Sequence, residues 1–250
     1  MHKIEEKQKI EIEYWQTAPG ESPGDDSVYN VVNKISDARI FLECINRYKD
    51  KIYFEGAKVL ELGGGQGWAS CVCKKLFPNA HVIMTDISEY AIMSLSKWEH
   101  IFRVKIDNSY ASKSYMLKEE DNSIDIIFCF AAAHHFLAHR RTLAELERVL
   151  KPGGKVFYLY EPASPIYFYR ISLWRVNRKR AVVPEDVLVI SKLKKLSSEV
   201  GLDIRVDNYP SLMKRGRLEI IYFFFLSCFP FLQKLLPCTV NLIFTKRNPP

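Results

Sequence analysis

The chain has no C-x-x-C cysteine pair, no internal repeat and no low-complexity tract. Its six cysteines, Cys44, Cys71, Cys73, Cys129, Cys228 and Cys238, follow no zinc-like spacing, so neither a disulfide framework nor a bound metal is expected. The opening stretch MHKIEEKQKIEIEYW carries charge where a secretory signal needs an apolar core, which points to reduced thiols in the cytoplasm. The most apolar run, IIYFFFLSCFPFL, is thirteen residues long with Pro230 inside it. A bilayer span needs about 20, so a membrane-crossing helix is excluded for that run.

What is present is ordinary globular material: 250 residues, 48% hydrophobic and 26% charged, enough for one full α/β core. The net charge of +7 is unevenly placed. Between Ser164 and Arg217 stand 12 Lys and Arg against 5 Asp and Glu, and the rest of the chain sums to zero. A local basic zone suits an anionic partner or simply a solvated surface.

From about residue 56 short apolar runs alternate with amphipathic stretches, the pattern of a parallel sheet covered by helices. Strands are expected at AKVLEL, AHVIMTDIS, FRVKID, SIDIIFCFA and KVFYLYEP, with LDIRVDNYP and TVNLIFTKR as the last two. Helices are expected at WASCVCKKLF, EYAIMSLSKWEH and RRTLAELERVL, and from Pro184 to Gly201. Residues 1–55 read as a loop-rich N-terminal extension that caps the site, with Tyr14 and Trp15 either roofing a ligand or packing on the core. Residues 56–250 form the main domain, with insertions at 163–183 and 212–238.

The stretch KVLELGGGQGWAS runs an apolar strand into glycines and out into a helix. Glycine there lets the backbone take positive φ and lets a ligand approach without a Cβ in the way. A dinucleotide fingerprint wants G-x-G-x-x-G, but its third position is Trp68. The glycines follow G-x-G-x-G instead, at Gly63, Gly65 and Gly67, with Gly64 between the first two and Glu61 ahead of them. Asp86 and Asp107 end the expected second and third strands, on the sheet edge where ligands bind. Carboxylates there repel a phosphate but suit a ligand with a positive centre, free hydroxyls and an exocyclic amine.

Taken in order, VLELGGGQG, VIMTDIS, SIDIIFCFAAAHHF and LAELERVLKPGGKVFYLYEP resemble the motifs of the class I S-adenosylmethionine-dependent methyltransferases, over roughly residues 56–165. The resemblance implies a Rossmann-like, mostly parallel seven-stranded sheet with helices on both faces, and S-adenosylmethionine as cofactor. It places Gly63, Gly64, Gly65 and Gly67 under the methionine part, with Glu61 near its amino group or organising the loop. Asp86 would accept from the ribose hydroxyls with Ile87 beside it, Asp107 would face the adenine edge, and Phe130 would line the pocket. No N/D-P-P-Y motif and no RNA-binding module is present, so nucleic acid is not expected as a partner.

The donor's methyl group is already activated, so the enzyme has mainly to align the acceptor and exclude water. A hydroxyl acceptor also needs a base. His134 and His135 follow the fourth strand, and His135 is favoured because it begins the loop facing the acceptor. Glu161, ending the fifth strand, is the second candidate. Both histidines equally suit a helix-capping or pocket-lining role, and adjacent rings on extended backbone diverge, which argues against a metal.

The insertions are aromatic and basic. Residues 163–180 put Tyr167, Phe168, Ile171 and Trp174 beside five Arg or Lys, and residues 217–238 carry the apolar run after Lys214, Arg215 and Arg217. Such segments suit peripheral contact with the inner face of an anionic membrane, or a lipid-linked acceptor, or the core of a homodimer. The expected function is methyl transfer, at oxygen, to a small molecule, sugar or lipid-linked glycan. A membrane lipid or quinone acceptor is the alternative. A nicotinamide-dependent oxidoreductase or a non-catalytic nucleoside-binding protein would be read from the same loop.

Overall fold

The computed structural model describes residues 2–49, 53–178 and 185–247. The expected helix start at Pro184 and the basic residues Lys179 and Arg180 lie outside them. Two helices come first, α1 (His2–Thr17) and α2 (Val28–Tyr48), followed by β1 (Lys58–Leu62), α3 (Trp68–Leu76) and β2 (His81–Asp86). Then come α4 (Glu89–Met93), α5 (Leu95–Phe102), β3 (Asn108–Ala111), β4 (Ile124–Phe130), α6 (His139–Val149) and β5 (Leu150–Ser164). The chain closes with α7 (Tyr169–Asn177), β6 (Leu188–Val189), α8 (Ile190–Glu199), β7 (Leu202–Asn208), α9 (Arg217–Cys228) and β8 (Cys238–Lys246).

The strands form one sheet in the order β3-β2-β1-β4-β5-β8-β7, with the two-residue β6 added parallel to the end of β5. Only β8 runs antiparallel to its neighbours, β5 and β7. The expected Rossmann-like architecture is present, with β6 making eight strands rather than seven. Both faces are covered, as a buried parallel sheet requires. Alternation along β1 sends Val59 to one apolar layer, with Phe41, Trp98 and Phe128, and Leu60 and Leu62 to the other, with Leu143 and Leu146.

Three expectations fail, one of them the helix expected from Pro184, which begins only at Ile190, after β6. The N-terminal extension is helical, not loop-rich. In α2, Ala38, Phe41, Ile45 and Tyr48 recur at helical spacing and are buried, and Ser27 caps the helix by accepting from Asn30 N at 3.2 Å. The third strand is displaced. Leu95, Trp98 and Phe102 share one helix face, so α5 runs on to Phe102, and Arg103 ends it with φ +51°. The strand starts only at Asn108.

A bulge in β5 shapes the site. Pairing with β8 slips between Tyr158 and Glu161, and Tyr160 sits at φ +58°, its N–H bonded to Asn241 Oδ1 at 2.9 Å. Such bulges re-aim the side chains beside them. Tyr160 faces the cavity described next, and Glu161 lies beneath the loop that follows β4. No helix among the described residues is long and apolar enough to cross a membrane.

Candidate active site

β1 stops at Leu62, and the chain turns through the glycines into α3. Gly65 has φ +54°, and a Cβ on it would stand 3.0 Å from the Trp15 indole, so α1 rests on the loop. Gly67 has φ +83°, and a Cβ there would meet Leu95 at 2.6 Å. Non-glycine residues pay in strain at such angles. The loop amides are held from β2: Gly64 N donates to Thr85 O at 2.9 Å and Gly65 N to Asp86 Oδ2 at 2.8 Å. Asp86 Oδ1 accepts from Ser88 N at 2.9 Å.

Beyond these strand ends lies a cavity of about 620 Å³, a volume normal for a cofactor site. Glu61, Gly63, Gly64 and Gly65 line it at the end of β1, Asp86 and Ile87 at the end of β2, Phe130 at the end of β4 and His135 on the turn after it. The N-terminal helices close it with Glu11, Tyr14 and Trp15 from α1 and Lys34 and Asp37 from α2. Gln66 ties the strap down, donating to Glu21 O at 2.8 Å and accepting from Trp98 Nε1 at 3.0 Å.

Gly67 turns the chain and does not line the cavity. Asp107 is not at this edge at all. Register pairs Ile83 with Asn108 and Asp86 with Ala111, so Asp107 precedes β3 at the opposite end of the sheet. Its Oδ2 accepts from Val82 N at 2.7 Å and Lys74 Nζ at 3.0 Å. The place beside Asp86 belongs to Ser112, whose N donates to Asp86 O at 2.7 Å and which lines the cavity with Ser114.

Glu61, Asp86 and Glu11 have no cationic hydrogen-bond partner among the described residues. Burial pushes the Glu61 carboxyl up to about 8, although Ser70 donates to it through both its backbone N–H, at 2.9 Å, and its hydroxyl. Burial likewise holds Asp86 at about 6 against the amides of Ser88 and Gly65. Glu11 rises to about 7, through burial first and the Asp86 charge second. These residues fit a ligand that brings positive charge and hydroxyl donors, while a Cβ at Gly63, Gly64 or Gly65 would run into Ala132, Met84 or Trp15, so the glycines let the loop pack closely on its neighbours.

The histidines stand on a 3-10 turn, Ala133–His135, not on extended backbone. Their rings therefore converge, with centroids 4.2 Å apart. His134 Nδ1 meets Glu161 Oε2 at 2.8 Å, and its Nε2 meets Glu185 Oε2 at 3.0 Å. His135 Nε2 lies 3.5 Å from the same Glu185 oxygen. The donor atoms of His134, His135 and Glu185 all lie within 4.8 Å of one another, which overturns the expected divergence. Burial alone would lower the His134 imidazole, but hydrogen bonds to Glu161 and Glu185 outweigh it and hold the group up at about 10. His135 is pushed down to about 4, by burial and then by the His134 charge.

Glu161 is fully buried and lines neither this cavity nor its neighbour. Besides His134 it accepts from the amides of Ala132 at 2.9 Å, Ala133 at 2.8 Å and His134 at 3.2 Å. Those donors hold its carboxyl below the usual range in spite of burial. It positions the turn and does not reach an acceptor. His134 lines an adjoining cavity of about 470 Å³ with Lys7, Tyr169, Arg170, Leu173 and Trp174. His135, Glu11 and Glu185 border both cavities. Sequence reasoning missed Glu185, which lies just past the first insertion, 24 positions after Glu161, and Ser112, hidden by the misplaced third strand.

A family model described as a methyltransferase domain matches residues 60–158, from the glycine loop through β5. Those residues carry a methyltransferase domain of the class I S-adenosylmethionine-dependent kind. S-adenosylmethionine is therefore the cofactor of this methyltransferase. It is 25% identical over 181 residues to the ubiquinone/menaquinone biosynthesis C-methyltransferase UbiE of Cupriavidus taiwanensis, covering 69% of this chain and 71% of that protein. It is 32% identical over 108 residues to the sterol 24-C-methyltransferase erg6 of Aspergillus fumigatus, covering 43% of this chain and 28% of that one. Among solved structures, the geranyl diphosphate C-methyltransferase of Streptomyces coelicolor A3(2) superposes with TM-score 0.67 at 14% identity, over 96% of this methyltransferase and 98% of that chain. A sarcosine dimethylglycine methyltransferase, so described, from Galdieria sulphuraria gives 0.63 at 16% identity, over 97% and 99%. At such identities these structures speak for the fold alone.

Proposed function

We propose that this methyltransferase acts on a carbon of a lipophilic acceptor of the quinone or lipid class, with His135 taking up the proton that the acceptor sheds. The observation that carries the reading is the position of His135 on the border of the two cavities, neutral and facing the adjoining apolar wall of Tyr169, Leu173 and Trp174. The relatives that methylate quinone precursors and sterols at carbon support the same class.

S-adenosylmethionine, when bound, supplies an activated methyl group. The chain's own residues have the remaining tasks. Asp86, Ile87 and Ser112 are placed to hold the nucleoside end, and Glu61 organises the glycine loop through Ser70. An acceptor carbon beside a hydroxyl gains the methyl and loses one proton. Neutral His135 can accept that proton, and the Glu185 carboxylate, with Oε2 3.5 Å from His135 Nε2, steadies the ring while it carries the charge. His134, fixed between Glu161 and Glu185, stays charged and keeps the turn in place.

Lys7 and Arg170 on the adjoining cavity favour a second reading, an acceptor that also bears phosphate, such as a lipid-linked glycan methylated at oxygen. Incubation with methyl-labelled donor and a fractionated extract separates the two. Label is expected in an organic-soluble product, with fragmentation placing it on carbon. Label on oxygen in a phosphate-bearing glycan would replace the first reading with the second, and label in protein or RNA would end both.

A further inference from the structure

Thirteen of the twenty-three exposed large apolar side chains among the described residues fall between Ile166 and Leu235. α9 is apolar on every side, yet it buries only Phe223 and Leu226. Leu218, Ile221 and Phe225 form one outward stripe, with Leu218 82% and Ile221 66% exposed, and Ile220 and Phe224 flank it. A helix apolar all round ordinarily has its whole surface covered.

The neighbouring segments extend the stripe. On α7, Ile171 and Trp174 are more than half exposed. Arg175 Nη1 joins α7 to α9 through Glu219 Oε1 at 3.4 Å. Tyr167 donates from its hydroxyl to Leu235 O at 2.7 Å, fastening the start of the first insertion to the end of the second. Phe229 and Phe231 continue the apolar surface on the turn after α9. Around it, Arg170, Arg178, Arg217 and Lys234 are exposed and form no ion pair with any described residue.

We propose that this face docks on the surface of an anionic phospholipid bilayer, with α9 and the exposed side of α7 lying in the headgroup layer. Charge complementarity selects this occupant. Apolar and aromatic side chains enter the boundary between headgroups and acyl chains, while arginines reach lipid phosphates from the rim. A second copy of the chain fits worse, because a two-fold interface would set the unpaired cations against their own images. At twelve residues, α9 is far shorter than the roughly 20 needed to span the bilayer, so it rests on it.

This goes beyond the acceptor reading and adds a route to it. α7 is also a wall of the 470 Å³ cavity, contributing Tyr169, Arg170, Leu173 and Trp174, and His134, His135 and Glu185 stand on the same cavity. A docked α7 presents that cavity to the lipid, so an acceptor dissolved in the bilayer can reach His135 with its apolar part still shielded from water.

The test is co-sedimentation of the full chain with vesicles, without acceptor or cofactor, so that its outcome is separate from the identity of the acceptor. Binding is expected to vesicles of mixed phosphatidylglycerol and phosphatidylcholine, and not to phosphatidylcholine alone, with loss of binding in high salt. Arg178→Gln, Arg217→Gln and Lys234→Gln should each weaken it about fivefold. Ile221→Asp with Phe224→Asp should abolish it while cofactor binding and the unfolding temperature stay at wild-type values. Absence of sedimentation with anionic vesicles overturns the proposal, as does unaltered binding by the double aspartate variant. A concentration-dependent dimer in sedimentation velocity that the aspartate variant dissolves would assign the face to a second copy instead.

Discussion

Two groups of carboxylates stand on opposite sides of the site and are balanced in opposite ways. Around the glycine loop, Glu11, Glu61 and Asp86 lie together, and the recorded hydrogen bonds of Glu61 and Asp86 come from backbone amides and one serine hydroxyl. All three carboxyls are pushed up. Beyond β4, Glu161 and Glu185 enclose the His134 imidazolium, and both are held down. Glu161 is buried as deeply as Glu61, so between those two the counter-ion makes the difference. The histidine side carries a cation of its own, whereas the loop side suits a ligand that brings one.

The largest effect should come from removing the internal counter-ion. Glu161→Ala leaves His134 facing Glu185 alone and frees three backbone amides. A loss of about 3–5 kcal/mol in unfolding free energy is expected, read by denaturant titration, with Glu161→Gln milder. An unchanged midpoint for the alanine variant would break the comparison. His135→Ala should lower turnover by about 10²-fold or more while calorimetry finds cofactor affinity intact. Equal losses in both would mark His135 as a wall residue only.

On the loop side, Asp86→Ala should cost about 1–3 kcal/mol of cofactor affinity by calorimetry, and no change would remove Asp86 from the ligand. Affinity for S-adenosylmethionine should also rise with pH from about 6 to about 8, as Asp86, Glu11 and Glu61 ionise in the free protein. S-adenosylhomocysteine, which lacks the sulfonium charge, should follow less steeply.

The smallest effect is on stability. An acid whose folded pKa is raised favours the folded state below its unfolded value and loses that contribution as pH rises through the folded one. For the ligand-free protein the loop acids therefore withdraw stability between about 4 and about 8. His134, raised from 6.5 to about 10, gives a contribution present below 6.5 and lost toward 10. Thermal melts across pH should show Glu11→Gln flattening the lower window and leaving the upper one unchanged.

The loop side was the more legible in the sequence because its parts are local. A strand, its glycines and an acid at the end of the next strand each carry a backbone requirement that fixes residue type and spacing. The histidine side depends on geometry that neighbours in sequence do not set. The 3-10 turn that swings His134 and His135 together, the bulge that lodges Glu161 beneath it and the approach of Glu185 from beyond the first insertion are all tertiary events. Asp107 was misplaced for a related reason: Val104 and Ile106 read as strand, while the helical spacing of Trp98 and Phe102 carried the helix past them. In α1 the apolar residues are too sparse for a helical stripe to stand out, so its contribution to the cavity could be suspected only from Tyr14 and Trp15.

The seat of Trp15 on Gly65 gives the molecule an optical signal of its own. Trp98 is sealed in the interior and Trp174 points outward, so the chamber is bordered by the deeply set Trp68 and by Trp15, which rests in the gap where a methyl group on Gly65 would otherwise be. Anything sliding beneath it must alter its emission, and the speed of that change reports how fast spent donor is exchanged for fresh.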